Sequence, residues 1–368
     1  MLAQAPRTRR PTGRPADGWV GTLLLLGGIA LGATGACRGG CSRAPAVRGP
    51  LDGNLAWFPP ETRIVISADL RRLRRTRLGR RLPPLAATEP ADRQRIDDFV
   101  QRTGFDPFQH IDALTVAFPE EARASGQLGV ILRASHLDES RLVAYARDQI
   151  SKAGDDLFSF RRSGRILWAA HQAPTTAAFF VGDGSLVIGA GGWAERMAEL
   201  SNAPAPSADL AAAAAPPGAE ANLELVHLIE RAGANRPLVA AAIVPASTRA
   251  ALAADPALSV AAGVSRLSLS MDGDDATDIQ LTADLASREQ AHQMVERIEA
   301  AIRAAKASPR VLLLGIGPFL DSLHARERGV ACELSIHLSA AQTDDAVERL
   351  QAFVALARQG PIPGFPRP

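Results

Sequence analysis

Val264-Ser-Arg-Leu-Ser-Leu-Ser-Met-Asp272-Gly-Asp-Asp-Ala-Thr-Asp-Ile-Gln-Leu-Thr-Ala-Asp-Leu285-Ala-Ser-Arg-Glu-Gln-Ala-His-Gln-Met-Val295 is the stretch that decides the fold. Its first part alternates, with Leu267, Leu269 and Met271 on one side and Arg266, Ser268 and Ser270 on the other, the period of a strand. Asp272-Gly273 turns the chain, because such turns need positive φ. Ile279, Leu281, Ala283 and Leu285 alternate on the return strand. Ser287 then begins a helix, with Gln290 three residues on completing a capping box. The helix carries the apolar stripe Ala291, Met294, Val295, Ile298 and Ile302. The unit is strand, turn, strand, helix.

The same order recurs on either side. Downstream, Leu320–Arg326 and Val330–Leu338 read as strands, followed by a helix striped with Val347, Leu350, Phe353, Val354 and Ala357. Upstream, Thr62–Asp69 reads as a strand. Asp112–Phe118 and Gln127–Arg133 read as a hairpin, with a helix through Leu142, Val143, Ala146 and Ile150 after it. Short strands follow at Leu157–Arg162, Arg165–His171, Ala177–Val181 and Leu186–Ala190. Asp183-Gly184 turns between the last two, and a helix runs from Trp193 to Leu200. A strand–hairpin–strand–helix order thus begins near Asp112, Val264 and Leu320, as expected of duplicated ββα units. One-sided alternation predicts antiparallel sheets with helices packed on one face, an α+β fold. The Ala/Pro-rich stretch 203–221 separates a first half, 57–202, from a second, 222–359. A Pro-rich tail occupies 360–368, where Pro stops helix formation.

The N-terminus has a different grammar. Arg7, Arg9, Arg10 and Arg14 precede an apolar run from Trp19 to Leu31, and small residues lead to Ala36-Cys37. A basic segment, a short apolar segment and a small-residue site make residues 1–36 a secretory signal, with an uncleaved membrane anchor as the alternative. The weak twin-arginine pattern at Arg9-Arg10 lacks the apolar residues that should follow it. Thr34-Gly35-Ala36-Cys37 resembles a lipobox, which makes Cys37 the lipidated N-terminus of the mature protein; the alternative is ordinary cleavage after Ala36. Residues 37–56, rich in Gly, Pro and Ala, read as a flexible tether. The whole chain is +2 and the signal segment +3, leaving −1, so the mature protein lacks the basic footprint of a nucleic-acid partner. Three cysteines are too few for a disulfide framework. Cys332 shares its strand phase with Leu334, Ile336 and Leu338 and is expected to be buried and unpaired, with His337 exposed.

Phe58-Pro-Pro-Glu-Thr62 before an apolar strand ending in Ala68-Asp69-Leu70, and Thr103-Gly-Phe-Asp-Pro-Phe108 leading through Ile111-Asp112, resemble a group of uncharacterised secreted proteins and lipoproteins of Gram-negative bacteria. The resemblance covers residues 57–200 and, more loosely, the second half. It implies an envelope location and repeated ββα modules, and it carries over no activity and no functional residue.

No catalytic pattern stands out. The seven histidines form no His-Glu-x-x-His, no Cys-x-x-Cys occurs, and no Gly-x-Ser-x-Gly elbow is present. A dispersed triad is defined by geometry, beyond the reach of sequence. Gly182-x-Gly184 and Gly189-x-Gly191-Gly192 lack dinucleotide-loop spacing and read as turns. Asp272, Asp274, Asp275 and Asp278 lack the closing Glu of a calcium loop. Neither a metal nor a cofactor is expected. The sharpest local feature is a run of arginines, Arg71, Arg72, Arg74, Arg75, Arg77, Arg80 and Arg81, around Leu70, Leu73, Leu78 and Leu82. On a helix the leucines would dock and the arginines face outward. Arg71, Arg74, Arg75 and Arg77 are therefore candidates to contact an anionic surface, because guanidinium groups grip phosphates bidentately; the alternative is a solvated basic face.

The expected function is that of a non-catalytic lipoprotein with a binding or scaffolding role, lipid-anchored in the outer membrane and facing the periplasm. Its partners would be the membrane, anionic lipid or another envelope protein. A carrier of a hydrophobic, lipid-like ligand is the second reading, and a hydrolase of unrecognised geometry the third. A large apolar cavity would favour the carrier, and a solid core with an exposed patch the scaffold.

Overall fold

The computed structural model describes residues 54–81, 90–120, 125–182, 184–202, 219–255, 258–308 and 317–358. The signal segment with Cys37, most of the tether, most of the Ala/Pro-rich linker and the tail lie outside these residues. The elements in chain order are β1 (Thr62–Asp69), α1 (Leu70–Leu73), α2 (Arg77–Arg81), α3 (Pro90–Thr103), α4 (Pro107–His110), β2 (Ile111–Pro119), β3 (Leu128–Ala134) and α5 (Glu139–Lys152). Next come β4 (Leu157–Arg162), β5 (Arg165–Ala170), β6 (Ala173–Val181), β7 (Ser185–Ala190), α6 (Trp193–Asn202) and α7 (Ala219–Ala232). The chain continues through β8 (Leu238–Ile243), α8 (Ala246–Ala254), β9 (Arg266–Asp272), β10 (Thr277–Asp284), α9 (Arg288–Lys306), α10 (Gly317–Asp321), β11 (Leu323–Arg328), β12 (Ala331–Leu338) and α11 (Ala340–Arg358).

All twelve strands join one antiparallel sheet in the order β11-β12-β10-β9-β8-β1-β2-β3-β7-β6-β5-β4. The two halves of the sequence meet at its centre, where β1 pairs with β8. Outward from that pair, one side runs β2, β3, β7, β6 and the other β9, β10, β12, β11. Each half thus lays down a central strand, a hairpin, and a second hairpin whose later strand pairs first.

Helices cover both faces of this sheet, which corrects the expectation of a single covered face. Neighbouring residues of a strand point to opposite faces. Val65, Ala117, Ile131, Phe179, Val187, Val239 and Ala241 pack with Trp193, Met197, Leu225, Leu228 and Ile229 of α6 and α7 on what is here called the back face. Ala68, Leu114, Leu132 and Met271, of the other phase, pack with Leu70, Leu73 and Phe105 on the front face. A third cluster, Val264, Leu285, Ala291 and Cys332, joins α9 to the front face at the far side of the sheet. Each cluster buries apolar surface at about 25 cal/mol per Å², so each face has its own hydrophobic seam.

Local chemistry explains the boundaries. Ser287 caps α9 by accepting a bond from Gln290 N at 3.2 Å, while the Gln290 side chain accepts from Ala286 N rather than from Ser287. Residues 320–322, read as the start of a strand, belong instead to α10 and the turn after it. The arginine-rich run does not form one helix. It breaks after Leu73, where the buried Thr76 hydroxyl donates to Leu73 O at 2.8 Å and accepts from Gly79 N at 2.9 Å. A Cβ at Gly79 would fall 1.7 Å from Leu73 O, so the turn admits no side chain there. Cys332 is unpaired and 3% exposed, and burial pushes its thiol above the ordinary cysteine value, with Glu333 adding to the shift. His337 is exposed beside Asp278.

Candidate functional site: an apolar trough on the front face

The middle of the sheet reverses the ordinary arrangement of polar and apolar residues. On the back face, Ser67, Thr115, Ser268 and Ser270 are buried. Their hydroxyls are satisfied in part by one another and by α7's flank: Ser67 Oγ lies 3.0 Å from Thr115 Oγ1, and Arg236 Nη1 donates to Ser270 Oγ at 2.6 Å. Buried hydroxyls need such partners. On the front face, their neighbours Ile66, Val116 and Leu269 are aliphatic yet only partly covered.

The register strings these residues into one row. Val130, Val116, Ile66, Ala240, Leu269, Leu281 and Leu334 are successive cross-strand neighbours from β3 to β12. Ile66 is 36% exposed and Ile64, on the same strand, 37%; the other members of the row are half-buried. Phe118, Ile64, Ala242 and Leu267 form a second row beside the first. At about 4.8 Å per strand the seven-strand row is roughly 29 Å long. A central strand carrying two isoleucines at this exposure, flanked by partly covered aliphatic residues, forms an apolar patch of the kind that marks a binding surface.

Helices border the rows on both sides. Toward the C-terminal end of β1, Leu70 and Leu73 press on Ala68, Leu114 and Met271, with Val116, Val130 and Ile279 at the margin of that contact. Toward the other end, Met294, Val295 and Ile298 of α9, together with Val244, Leu267 and Ala283, pack around the buried Val264, Leu285, Ala291 and Cys332. Between the two contacts lies a trough floored by Val, Ile, Leu, Phe and Ala, with its lowest side chains, Ala240 and Ala242, on β8. No polar side chain stands in either row, so the floor offers dispersion and dehydration but no hydrogen bond. Such a surface takes an apolar group and does no acid–base chemistry.

The four candidate arginines lie along the first wall. Arg74 turns inward and donates to Phe108 O at 3.1 Å and Ile111 O at 2.7 Å. Burial lowers its pKa from the usual arginine value, against the opposing pull of Asp112. Arg71 lies 3.3 Å from Asp112. Arg77 binds Asp344 through Nε and Nη2 at 3.0 and 2.5 Å, tying α2 to α11, and this bond raises its pKa. Arg75 is exposed and has no ion-pair partner among the described residues. Two of the four, Arg74 and Arg77, therefore serve the fold, while Arg71 and Arg75 keep exposed guanidinium groups.

Other clusters are self-contained. A cavity of about 540 Å³ opens on the back face between α7 and β9–β10, lined by Leu223, Glu224, His227, Leu228, Arg231, Arg266 and Asp284. Its charges pair internally: Arg231 with Asp284 at 2.6 Å, and Arg266 with Glu224. Glu333, 5% exposed at its side chain, is held by Arg326 and Arg328. The hairpin aspartates bind protein groups instead of converging; Asp278 faces His337 and Asp272 caps Gly273. Among the described residues, no group of three or more His, Cys, Asp or Glu is placed to hold a metal ion. Among them, too, no helix is long and apolar enough to cross a membrane.

The chain matches no family model and no curated protein. Among solved structures it is similar to crystal form I of TP0453, at 14% identity and a TM-score of 0.39, over 83% of this chain and 98% of that one. A likeness of that size carries no argument about activity.

Proposed function

We propose that this chain is a non-catalytic binding protein of the cell envelope: an exposed apolar patch over a packed core is the expected mark of a scaffold, but the narrow, walled shape of this one fits a hydrophobic, lipid-like ligand carried in the front-face trough. The carrying observation is the row Val130–Val116–Ile66–Ala240–Leu269–Leu281–Leu334, aliphatic across seven strands and only partly covered, while hydroxyls of β1, β2 and β9 are buried on the other face. Leaving isoleucines at the surface forgoes stability that covering them would supply. A ligand that covers them returns it, and stabilises the fold by mass action. The shape also favours a chain-like ligand. The uncovered band is two side chains wide, roughly 7 Å at two residues of strand rise, which is narrower than the ~10–12 Å of a helix.

In this reading, Cys37 bears the lipid that tethers the protein to the outer membrane, and the trough faces the periplasm. The two halves of the sheet descend from one duplicated unit, supported by the matching strand order outward from β1 and β8. Mass spectrometry of the protein purified from its own membrane tests the anchor and the ligand together. The expected result is an acylated N-terminal Cys37 together with a non-covalently bound lipid released on denaturation. A preparation that is free of lipid, and cannot be loaded with any, refutes the carrier reading.

A further inference from the structure

The apolar floor fixes only the tail of a ligand; the charges along its walls are unequal. On the α9 side acids offset the cations: Arg288 pairs with Glu327, His292 with Glu327 and Glu296, and Arg303 with Glu299, leaving Arg297 without an acidic partner among the described residues. On the α1–α2 side, cations exceed acids. Asp112 is shared between Arg71 and Arg74. Arg80 reaches Asp275 only at 3.9 Å, with both groups at least half exposed. Arg72 donates to a carbonyl, Asn235 O, and Arg75 has no acidic partner among the described residues. Leu70 and Leu73 anchor this segment to the trough wall, so its surplus guanidinium donors stand beside an apolar channel. Positive charge next to a hydrocarbon-lined groove complements a molecule with an apolar tail and an acidic head.

We propose that the trough's ligand is a long-chain anionic amphiphile, its acyl chain lying across the row and its carboxylate or phosphate drawn to the cationic wall that Arg71, Arg75 and Arg80 form along the row. This rests on the carrier reading and names the chemical class of its ligand. Arginine suits the role because its planar fork meets carboxylate or phosphate with two parallel bonds, and its charge persists at any physiological pH. Arg74 and Arg77 are left out because the fold holds two donors of each and leaves their side chains less exposed than those of Arg71 and Arg80.

The test uses three probes of equal unbranched chain length: a fatty acid, an alkyl monophosphate and a fatty alcohol. Each is titrated into delipidated full-length protein below its micelle concentration, at low and high salt. Both acids are expected to bind at least tenfold more tightly than the alcohol at low salt, with the gap narrowing as salt screens the head group. In the triple variant Arg71→Gln, Arg75→Gln, Arg80→Gln the acids fall to the affinity of the alcohol, whose own binding is unchanged and certifies an intact trough. Equal affinity of acid and alcohol in the natural protein overturns the head-group assignment while leaving the carrier reading standing. An acid preference that survives the triple variant overturns the choice of these arginines. Failure of all three probes to bind overturns both the ligand class and the carrier reading.

Discussion

Truncating an isoleucine to alanine should cost very different amounts on the two faces of the sheet. Ile131, on the back face of β3, is 1% exposed within the α6–α7 core, whereas Ile66, on the front face of β1, is 36% exposed. Ile→Ala removes three carbons, about 2.4 kcal/mol at roughly 0.8 per buried methylene. At Ile131 a cavity remains as well, so the loss falls in the range of about 2–5 kcal/mol. At Ile66 about a third of the side chain already meets water and no closed cavity forms. Its loss is about 1.5 kcal/mol at most, despite its place on a central strand. The assay is urea unfolding of delipidated protein followed by circular dichroism, comparing midpoints at unchanged slope. Repeating it with a saturating amphiphile should raise the natural protein's midpoint and raise that of Ile66→Ala less, since ligand stabilises in proportion to its affinity. Equal destabilisation by the two substitutions without ligand would mean that Ile66 is covered, and the trough would be lost from the account.

Native protein should resist thiol labelling at Cys332 and label on unfolding without reductant, because the thiol is buried, unpaired and raised in pKa; fast native labelling contradicts this. Substituting Arg77 and Asp344 by alanine, singly and together, should show a coupled loss of stability that shrinks with added salt; strictly additive losses would mean that the α2–α11 tie contributes nothing. For Glu333, burial pushes the carboxyl up but the bonds from Arg326 and Arg328 outweigh it, and its pKa ends below the ordinary 4.5. A depressed folded pKa gives stability that is present above the unfolded value and lost as pH falls through the folded one. The stability gap between the natural protein and Glu333→Gln should therefore be full above the ordinary carboxylate range and shrink as pH falls through and below it, and a gap that widens on acidification would reverse the assignment.

Much of the architecture was legible in period and turn chemistry. The β9–β10 hairpin, its Asp272-Gly273 turn and the Ser287 cap follow from side-chain alternation, positive φ and a local hydrogen bond, all of which act within a few residues. Which face of that hairpin is buried did not follow. Leu267 and Leu269 look like core and Ser268 and Ser270 like surface, yet the structure covers the serines more fully. Coverage is decided by α7, which packs across β1, β8 and β9, a tertiary choice that alternation within one strand does not encode. Strand β8, Leu-Val-Ala-Ala-Ala-Ile, went unread because three alanines give no alternation; those alanines are what keep the trough floor low. The segment from Leu70 to Arg81 reads as one helix by spacing, but Thr76 and Gly79 break it. The arginines were found by composition alone, and their division into structural and free groups depends on Asp112, Asp344 and the Phe108 and Ile111 carbonyls, all distant in sequence.

The trough is tested most directly at Ala240, which lies between Ile66 and Leu269 in the central row. Ala240→Phe places a ring over the floor without entering the back-face core, where the neighbouring Ala241 is buried. Binding of a long-chain alcohol to delipidated protein, measured by calorimetry for the natural protein and this variant, isolates the apolar site from any head-group contribution. The account predicts saturable binding with a negative heat-capacity change, the mark of apolar burial, and at least a tenfold loss in Ala240→Phe with the fold intact by circular dichroism. No binding to the natural protein, or the same affinity in both proteins, would contradict it.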